Sequence, residues 1–312
     1  LTRKTVRIWL QTIRVYQWHK NGLLFAGLIF AGHLRKGWSE VDDDVGRTLL
    51  AFLSFCLLSS AIYLFNDLKD RDSDRLHPEK RHRPIASGKI SPSAALSAAF
   101  LLLVVGFAVA LSVSWLNYQV WFLSSAIGYL ALTLSYTFFF KHRVIADVMV
   151  LALGFVARII AGCAAVPVPP SEWIIFCVFN LALFMACCKR RHELLMMGDN
   201  AEATRSVLPK YSPQMLDIMV GASATMTIMG YALYTFLPVR GHDVFVEQRE
   251  APWLMITIPN VIYGVFRFLF LAYKKDIGGK PEQLWQDRAT MLNALTWMLM
   301  MIFFSLLPKL LK

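Results

Sequence analysis

LLAFLSFCLLSSAIYLFNDLKDRDSD, residues 49 to 74, runs without a charge from Leu49 to Asn66 and then sets aspartates at 67, 70, 72 and 74. An uncharged apolar run of this length reads as a membrane-spanning helix that ends at a polar surface. If the helix carries on past Phe65, Asp67, Asp70 and Asp74 share one face within about 60°, and Asp72 points the opposite way. Three carboxylates on one face repel one another unless a cation sits between them. Mg²⁺ suits that place, because it takes oxygen ligands and keeps waters and substrate phosphates in its shell. A solvated acidic helix end is the plainer alternative.

Outward from this stretch the chain reads as all-α and polytopic. Of 312 residues, 56% are hydrophobic, and the mean hydropathy of +0.49 lies above that of ordinary soluble domains. About nine apolar segments follow one another, near residues 21–34, 48–66, 94–114, 119–140, 145–166, 172–188, 214–237, 253–273 and 291–308. Before them, residues 3–18 are amphipathic: Arg3, Arg7 and Arg14 fall on one face, and Val6, Trp9, Ile13 and Tyr16 on the other. This predicts an interfacial helix on anionic membrane lipids over residues 1–20, followed by one transmembrane domain over 21–312. Leu1 in place of Met leaves room for a segment upstream.

The loops alternate in charge. Lys and Arg gather in the N-terminal stretch, after the second segment and in the later even-numbered loops, including Arg205; the odd-numbered loops hold acids such as Asp42, Asp43 and Asp44. The positive-inside rule then places the N-terminus and the aspartate-bearing loop in the cytoplasm, with the chain in the cell inner membrane. The net charge of +11 follows from this topology and, with no basic helix or RNA-binding module in view, gives no reason to invoke nucleic acid. Asp42 to Asp44 fall on the wrong side and read as a helix N-cap. The five cysteines lie in apolar segments without metal-ligand spacing.

A basic loop, Glu79-Lys80-Arg81-His82-Arg83-Pro84, follows the aspartates. Cations beside a carboxylate–metal cluster suit a ligand with more phosphate than the metal alone neutralises; a plain cytoplasmic loop is the alternative. Lys189 and Glu193, four apart, read either as a surface ion pair or as part of a phosphate site. Arg158 lies inside the fifth segment, where a charge must face a cavity or a partner, and Asp147 is the nearest structural partner in sequence. Arg267 sits nearer a segment end and can snorkel.

Asn66 to Asp74, followed by Arg83-Pro84-Ile85, resembles the first signature of the UbiA superfamily of intramembrane prenyltransferases, N-D-x-x-D-x-x-x-D and then R-P. The resemblance implies nine helices around a central cavity, with cytoplasmic cap loops. Where typical members carry a second aspartate-rich motif, this chain has Lys189-Arg190-Arg191-His192-Glu193, and so is similar to the decaprenyl-phosphate phosphoribosyltransferase branch. Gln17-Trp18-His19-Lys20-Asn21, Tyr136 with Lys141-His142, Arg158 to Gly162, and Arg267 with Gly278-Gly279 and Pro281-Glu282 extend the likeness. It implies transfer of 5-phosphoribose from phosphoribosyl diphosphate to a polyprenyl phosphate, toward lipid-linked arabinofuranose. On that reading Asp67 and Asp70 hold Mg²⁺ and Asp74 supports them. Lys189 joins them in catalysis, and Lys20, Asn66, Lys80, Arg81, Arg83, Tyr136, Lys141, Arg158, Arg190, Arg191, Glu193 and Arg267 contact substrate. A homo-oligomer is compatible with the sequence. The competing readings are an aromatic prenyltransferase of quinone or haem biosynthesis and, from another class, a transporter.

Overall fold

Across the described residues the apolar runs form helices. A computed structural model describes residues 3–30, 38–76, 80–170, 172–197, 207–236, 253–274 and 281–310. Glu79, Arg205 and Gly278-Gly279 lie outside them. Among the described residues there is no strand, and seven helices are long and apolar enough to cross a membrane, with a shorter apolar helix at Arg288–Phe304. The protein is a multi-pass membrane protein. The helices are α1 (Arg3–Thr12), α2 (Phe25–Phe30), α3 (Trp38–Lys69), α4 (Arg71–Leu76), α5 (Pro92–Leu116), α6 (Trp121–Phe138), α7 (Ala146–Ala165), α8 (Glu172–Met197), α9 (Pro213–Phe236), α10 (Ile258–Lys274) and α11 (Arg288–Leu310). The described part of the expected segment at 21–34, too short for a straight span, is the end of a 3₁₀ stretch over Val15–Leu24 followed by α2, and its residues 31–34 lie outside the described residues.

The chain divides into two compact units. The first holds Leu1–Ile29, His33–Pro170 and Glu202–Ser206, and the second Phe30–Gly32, Ser171–Ala201 and Val207–Lys312. In the first unit α3 lies along α5, whose start is set by Ser91, its side chain accepting from the Ala94 N–H at 3.2 Å, with Pro92 at the first helical position. Phe55, Leu58, Phe122, Ala126, Tyr129, Ala161 and Leu24 form its main core. Backbones approach closely where the 3₁₀ stretch passes into α2 against α7: a Cβ on Gly162 would stand 2.2 Å from the carbonyl oxygen of Leu24, and one on Gly27 2.7 Å from the Gly162 backbone, so only glycine fits at either place. In the second unit polar side chains bond one another across helices, Tyr231 Oη lying 2.6 Å from Thr257 Oγ1 and accepting from Trp297 Nε1 at 2.9 Å.

Two expectations change. The amphipathic helix ends at Thr12, because Arg14 adopts a left-handed conformation (φ 54°) and turns the chain inward. Its apolar face is divided: Trp9 and Ile13, with Ile8, pack on the core around Leu64, Ile85 and Ile90, while Val6 and Tyr16 stay exposed. Asp42 to Asp44 lie inside α3, which begins at Trp38, and so are not an N-cap. The 24 residue steps from Asp43 to Asp67 span about 36 Å of helix, enough to put the two acidic groups at opposite ends of a bilayer core.

Candidate functional site

The helical path does continue past Phe65. The Asp70 N–H donates to the Asn66 carbonyl and the Asp74 N–H to the Asp70 carbonyl, each at 2.8 Å. Asp67 and Asp74 are buried at 3% and 4% exposure, whereas the Asp72 side chain is 87% exposed and meets Arg71 and Arg75.

The cations that sit between these carboxylates are the protein's own. Arg83 NH1 donates to Asp67 Oδ1 at 3.0 Å and to Asp74 Oδ2 at 2.7 Å. Arg14 NH2 pairs with the same Asp67 oxygen, and the Lys141 ammonium lies 2.5 Å from Asp70 Oδ1. Each basic group arrives from a different part of the first unit. Arg14 comes from the left-handed corner after α1, held by Trp18 and by the Ile13 carbonyl, both bonded to Ser60. Arg83 comes from the loop anchored by the bond from Arg75 Nε to the Ala86 carbonyl, and Lys141 from a 3₁₀ turn after α6. That turn runs into α7 through Ile145 at φ 67°, a strained setting for a β-branched residue. The Asn66 amide oxygen accepts from Thr137 Oγ1 at 2.5 Å, and Lys69 donates to the Thr137 carbonyl at 2.8 Å, locking α3 to α6 beside the acids.

Burial pushes the Asp74 carboxyl above the usual carboxylate range, against the pull of Arg83. Burial opposes the charge on Arg14, and Asp67 more than restores it, holding the guanidinium above its ordinary value. Three acids are thus matched by three cations in one cluster, a set that can exchange partners with a metal and with phosphate oxygens. Among the described residues no group of three or more acids or other ligands is arranged around a common metal position. Asp67 and Asp70 alone suit Mg²⁺, which is usually held by one or two carboxylates plus substrate phosphates. Their ion pairs run through Oδ1 of each.

Other predicted residues are placed as follows. Lys20, Lys80 and Tyr136 are half-buried, and Arg81 is exposed and bonds His82. Arg158 is buried in α7, but its partners are Asn21 Oδ1 at 2.9 Å, the Gly154 carbonyl at 2.7 Å and Tyr129 Oη at 2.8 Å rather than the side chain of Asp147. In the second unit Lys189 is exposed; Glu193 takes Arg190 at 2.6 Å, and Arg190 is 1% exposed. Arg191 pairs with Asp217 and lies 3.9 Å from the Tyr273 ring centroid. Arg267 grips Asp287 through both carboxylate oxygens, at 3.0 and 2.7 Å, and Asp287 also caps α11 at Thr290. Arg14, Thr137, Asp217 and Asp287 escape the sequence reading, since their partners are 20 or more positions away.

Residues 23–278 match the model of the UbiA prenyltransferase family. The chain is 31% identical over 291 residues to the decaprenyl-phosphate phosphoribosyltransferase of Mycolicibacterium smegmatis, covering 92% of this chain and 89% of that one. It is 32% identical to the protein of the same name from Corynebacterium glutamicum, covering 92% and 83%. In structure it is similar to a UbiA homolog from Archaeoglobus fulgidus bound to GPP and Mg²⁺, with TM-score 0.64, 19% identity and 96% of each chain covered. With the family model spanning most of its length and its helices arranged as in a solved homolog, the chain belongs to the UbiA prenyltransferase family.

Proposed function

We propose that the protein transfers 5-phosphoribose from phosphoribosyl diphosphate to a polyprenyl phosphate of the decaprenyl type and releases diphosphate, supplying precursor for lipid-linked arabinofuranose. The observation that carries this reading is the likeness, along 92% of the chain, to decaprenyl-phosphate phosphoribosyltransferases. The mixed cluster at Asp67, Asp70, Arg14, Arg83 and Lys141 supports it, because a diphosphate needs both a metal and direct cationic donors.

Held by Asp67 and Asp70, Mg²⁺ would neutralise the departing diphosphate. Arg14, Arg83 and Lys141 turn from the carboxylates to the diphosphate oxygens as donor binds. Lys80, Arg81, Lys20 and Tyr136 contribute from the same unit. Asn66, held by Thr137, orients the donor. A polyprenyl phosphate oxygen attacks ribose C1 as the C1–O bond to diphosphate breaks. That oxygen is already anionic at neutral pH, so no general base is required. As the family resemblance implies, Lys189 and Arg191 are assigned to phosphate contact; Arg190 with Glu193 and Arg267 with Asp287 brace the second unit's own helices, and Arg158 braces α7 of the first unit against Asn21 and Tyr129. We place the N-terminus and the aspartate loop in the cytoplasm, with the enzyme in the inner membrane. Purified protein in detergent with Mg²⁺, radiolabelled phosphoribosyl diphosphate and polyprenyl phosphate should form labelled lipid and diphosphate in equal amounts. Labelled lipid that fails to form would remove the reading.

A further inference from the structure

We infer that Asp217 and Tyr273 are positioning residues that clamp the Arg191 guanidinium so that its open end meets a phosphate group, either one of the donor or that of the polyprenyl acceptor. This rests on the phosphate contact proposed for Arg191 and adds two residues that the sequence reading does not place at the site. The three come from three helices of the second unit and meet at an end of each: Arg191 near the end of α8, Asp217 near the start of α9 and Tyr273 at the end of α10. Neighbouring Arg190 is 1% exposed and given to Glu193, whereas the Arg191 side chain is 19% exposed.

Arg191 Nε donates to Asp217 Oδ1, and Tyr273 Oη donates to the same oxygen at 2.6 Å. The Tyr273 ring centroid also lies 3.9 Å from the guanidinium carbon, within range of a cation–π contact. One edge of the guanidinium is thus held by a carboxylate and one face by an aromatic ring. Together they fix the plane of a side chain that would otherwise turn about several bonds. Among the described residues the terminal nitrogens of Arg191 make no hydrogen bond, and their N–H groups form the fork that matches two oxygens of a phosphate. Asp217 does not cancel the cation for such a ligand. Its side chain is 42% exposed, so water screens the pair, and a phosphate monoester at neutral pH brings more negative charge than the carboxylate it joins.

The test uses the purified full chain in detergent with Mg²⁺ and reads two bindings by calorimetry: phosphoribosyl diphosphate for the donor and farnesyl phosphate for the acceptor headgroup. Arg191→Ala should weaken one of them about tenfold or more and leave the other within about twofold, and the ligand that is lost tells donor phosphate from acceptor phosphate. Asp217→Ala and Tyr273→Leu should each weaken that same ligand about tenfold, because the fork is then free to turn. Asp217→Asn keeps an accepting oxygen and should recover most of the loss. Arg191→Lys keeps the charge without the fork and should lose nearly as much as Arg191→Ala. The double variant Asp217→Ala, Arg191→Ala should bind no worse than Arg191→Ala alone. If Asp217→Ala does not fold, Tyr273→Leu and Arg191→Lys carry the test. Native-like binding of both ligands by Asp217→Ala and Tyr273→Leu would overturn the inference, as would native-like binding by Arg191→Lys, or equal weakening of both ligands in every variant, the mark of a structural role. A native chain that binds farnesyl phosphate through Arg191 but no phosphoribosyl diphosphate would instead bring down the proposed donor and leave the clamp standing.

Discussion

Replacing Lys141 by Met separates a catalytic contact from a structural one. The ammonium is 2.5 Å from Asp70 Oδ1, and Lys141 is 8% exposed. Asp70, by contrast, has a side chain 35% exposed, so water screens the pair and its worth to stability is about 1 kcal/mol or less. Met fills much of the same volume and removes the cost of burying a charge, which offsets part of even that loss. The melting temperature should therefore move by no more than a few degrees. If the same ammonium meets the departing diphosphate, its loss removes a preorganised charge contact worth about 2.7–4 kcal/mol, or ~10²–10³ in turnover. Initial rates with labelled donor, measured beside tryptophan-fluorescence melting in detergent, give both numbers on one preparation. A rate loss below about threefold, or a melting shift large enough to account for the loss, would refute the assignment.

Further outcomes follow from the same geometry. Asp67→Asn should lower turnover by ~10²-fold or more, while Asp72→Asn, whose side chain faces solvent, should stay within about twofold; rates at saturating donor decide it. Gly162→Ala should prevent folded expression, since its Cβ would stand 2.2 Å from backbone oxygen that cannot step aside; a monodisperse Gly162→Ala protein with unchanged melting would contradict the close packing of Leu24 on α7. Hydrogen bonds from Arg267, and then from Thr290, hold the Asp287 carboxyl well below the usual carboxylate range. A depressed folded value stabilises above the unfolded value of about 3.9 and is lost as pH falls through the folded one. The melting difference between the native chain and Asp287→Asn should thus be flat from neutral pH to about pH 5 and shrink only in stronger acid.

Much of the fold was legible because membrane spans need long apolar runs, and those runs became α3 and α5 to α10. The facing of the aspartates was legible too, since it depends only on helical angle. Asp72 turns away while Asp67 and Asp74 come together on Arg83. What resisted reading were partners set by tertiary packing. Arg14 looked like part of a lipid-facing basic stripe, yet one left-handed residue carries it to Asp67, 53 positions on. Glu193 takes Arg190 three residues before it, and because Arg190 is 1% exposed it needs the acid, a demand set by packing rather than by spacing. Arg158 found neutral oxygens on Asn21, Gly154 and Tyr129, which no local spacing announces.

The central claim is the identity of the donor, and one reaction vessel tests it. Purified protein with Mg²⁺ receives phosphoribosyl diphosphate and polyprenyl phosphate together with polyprenyl diphosphate and 4-hydroxybenzoate, and the lipids are resolved by mass spectrometry. A phosphoribosyl lipid, β-linked because attack at C1 inverts the α-linked donor, with no prenylated benzoate, is the predicted result. Prenylated benzoate with no phosphoribosyl lipid would contradict the account.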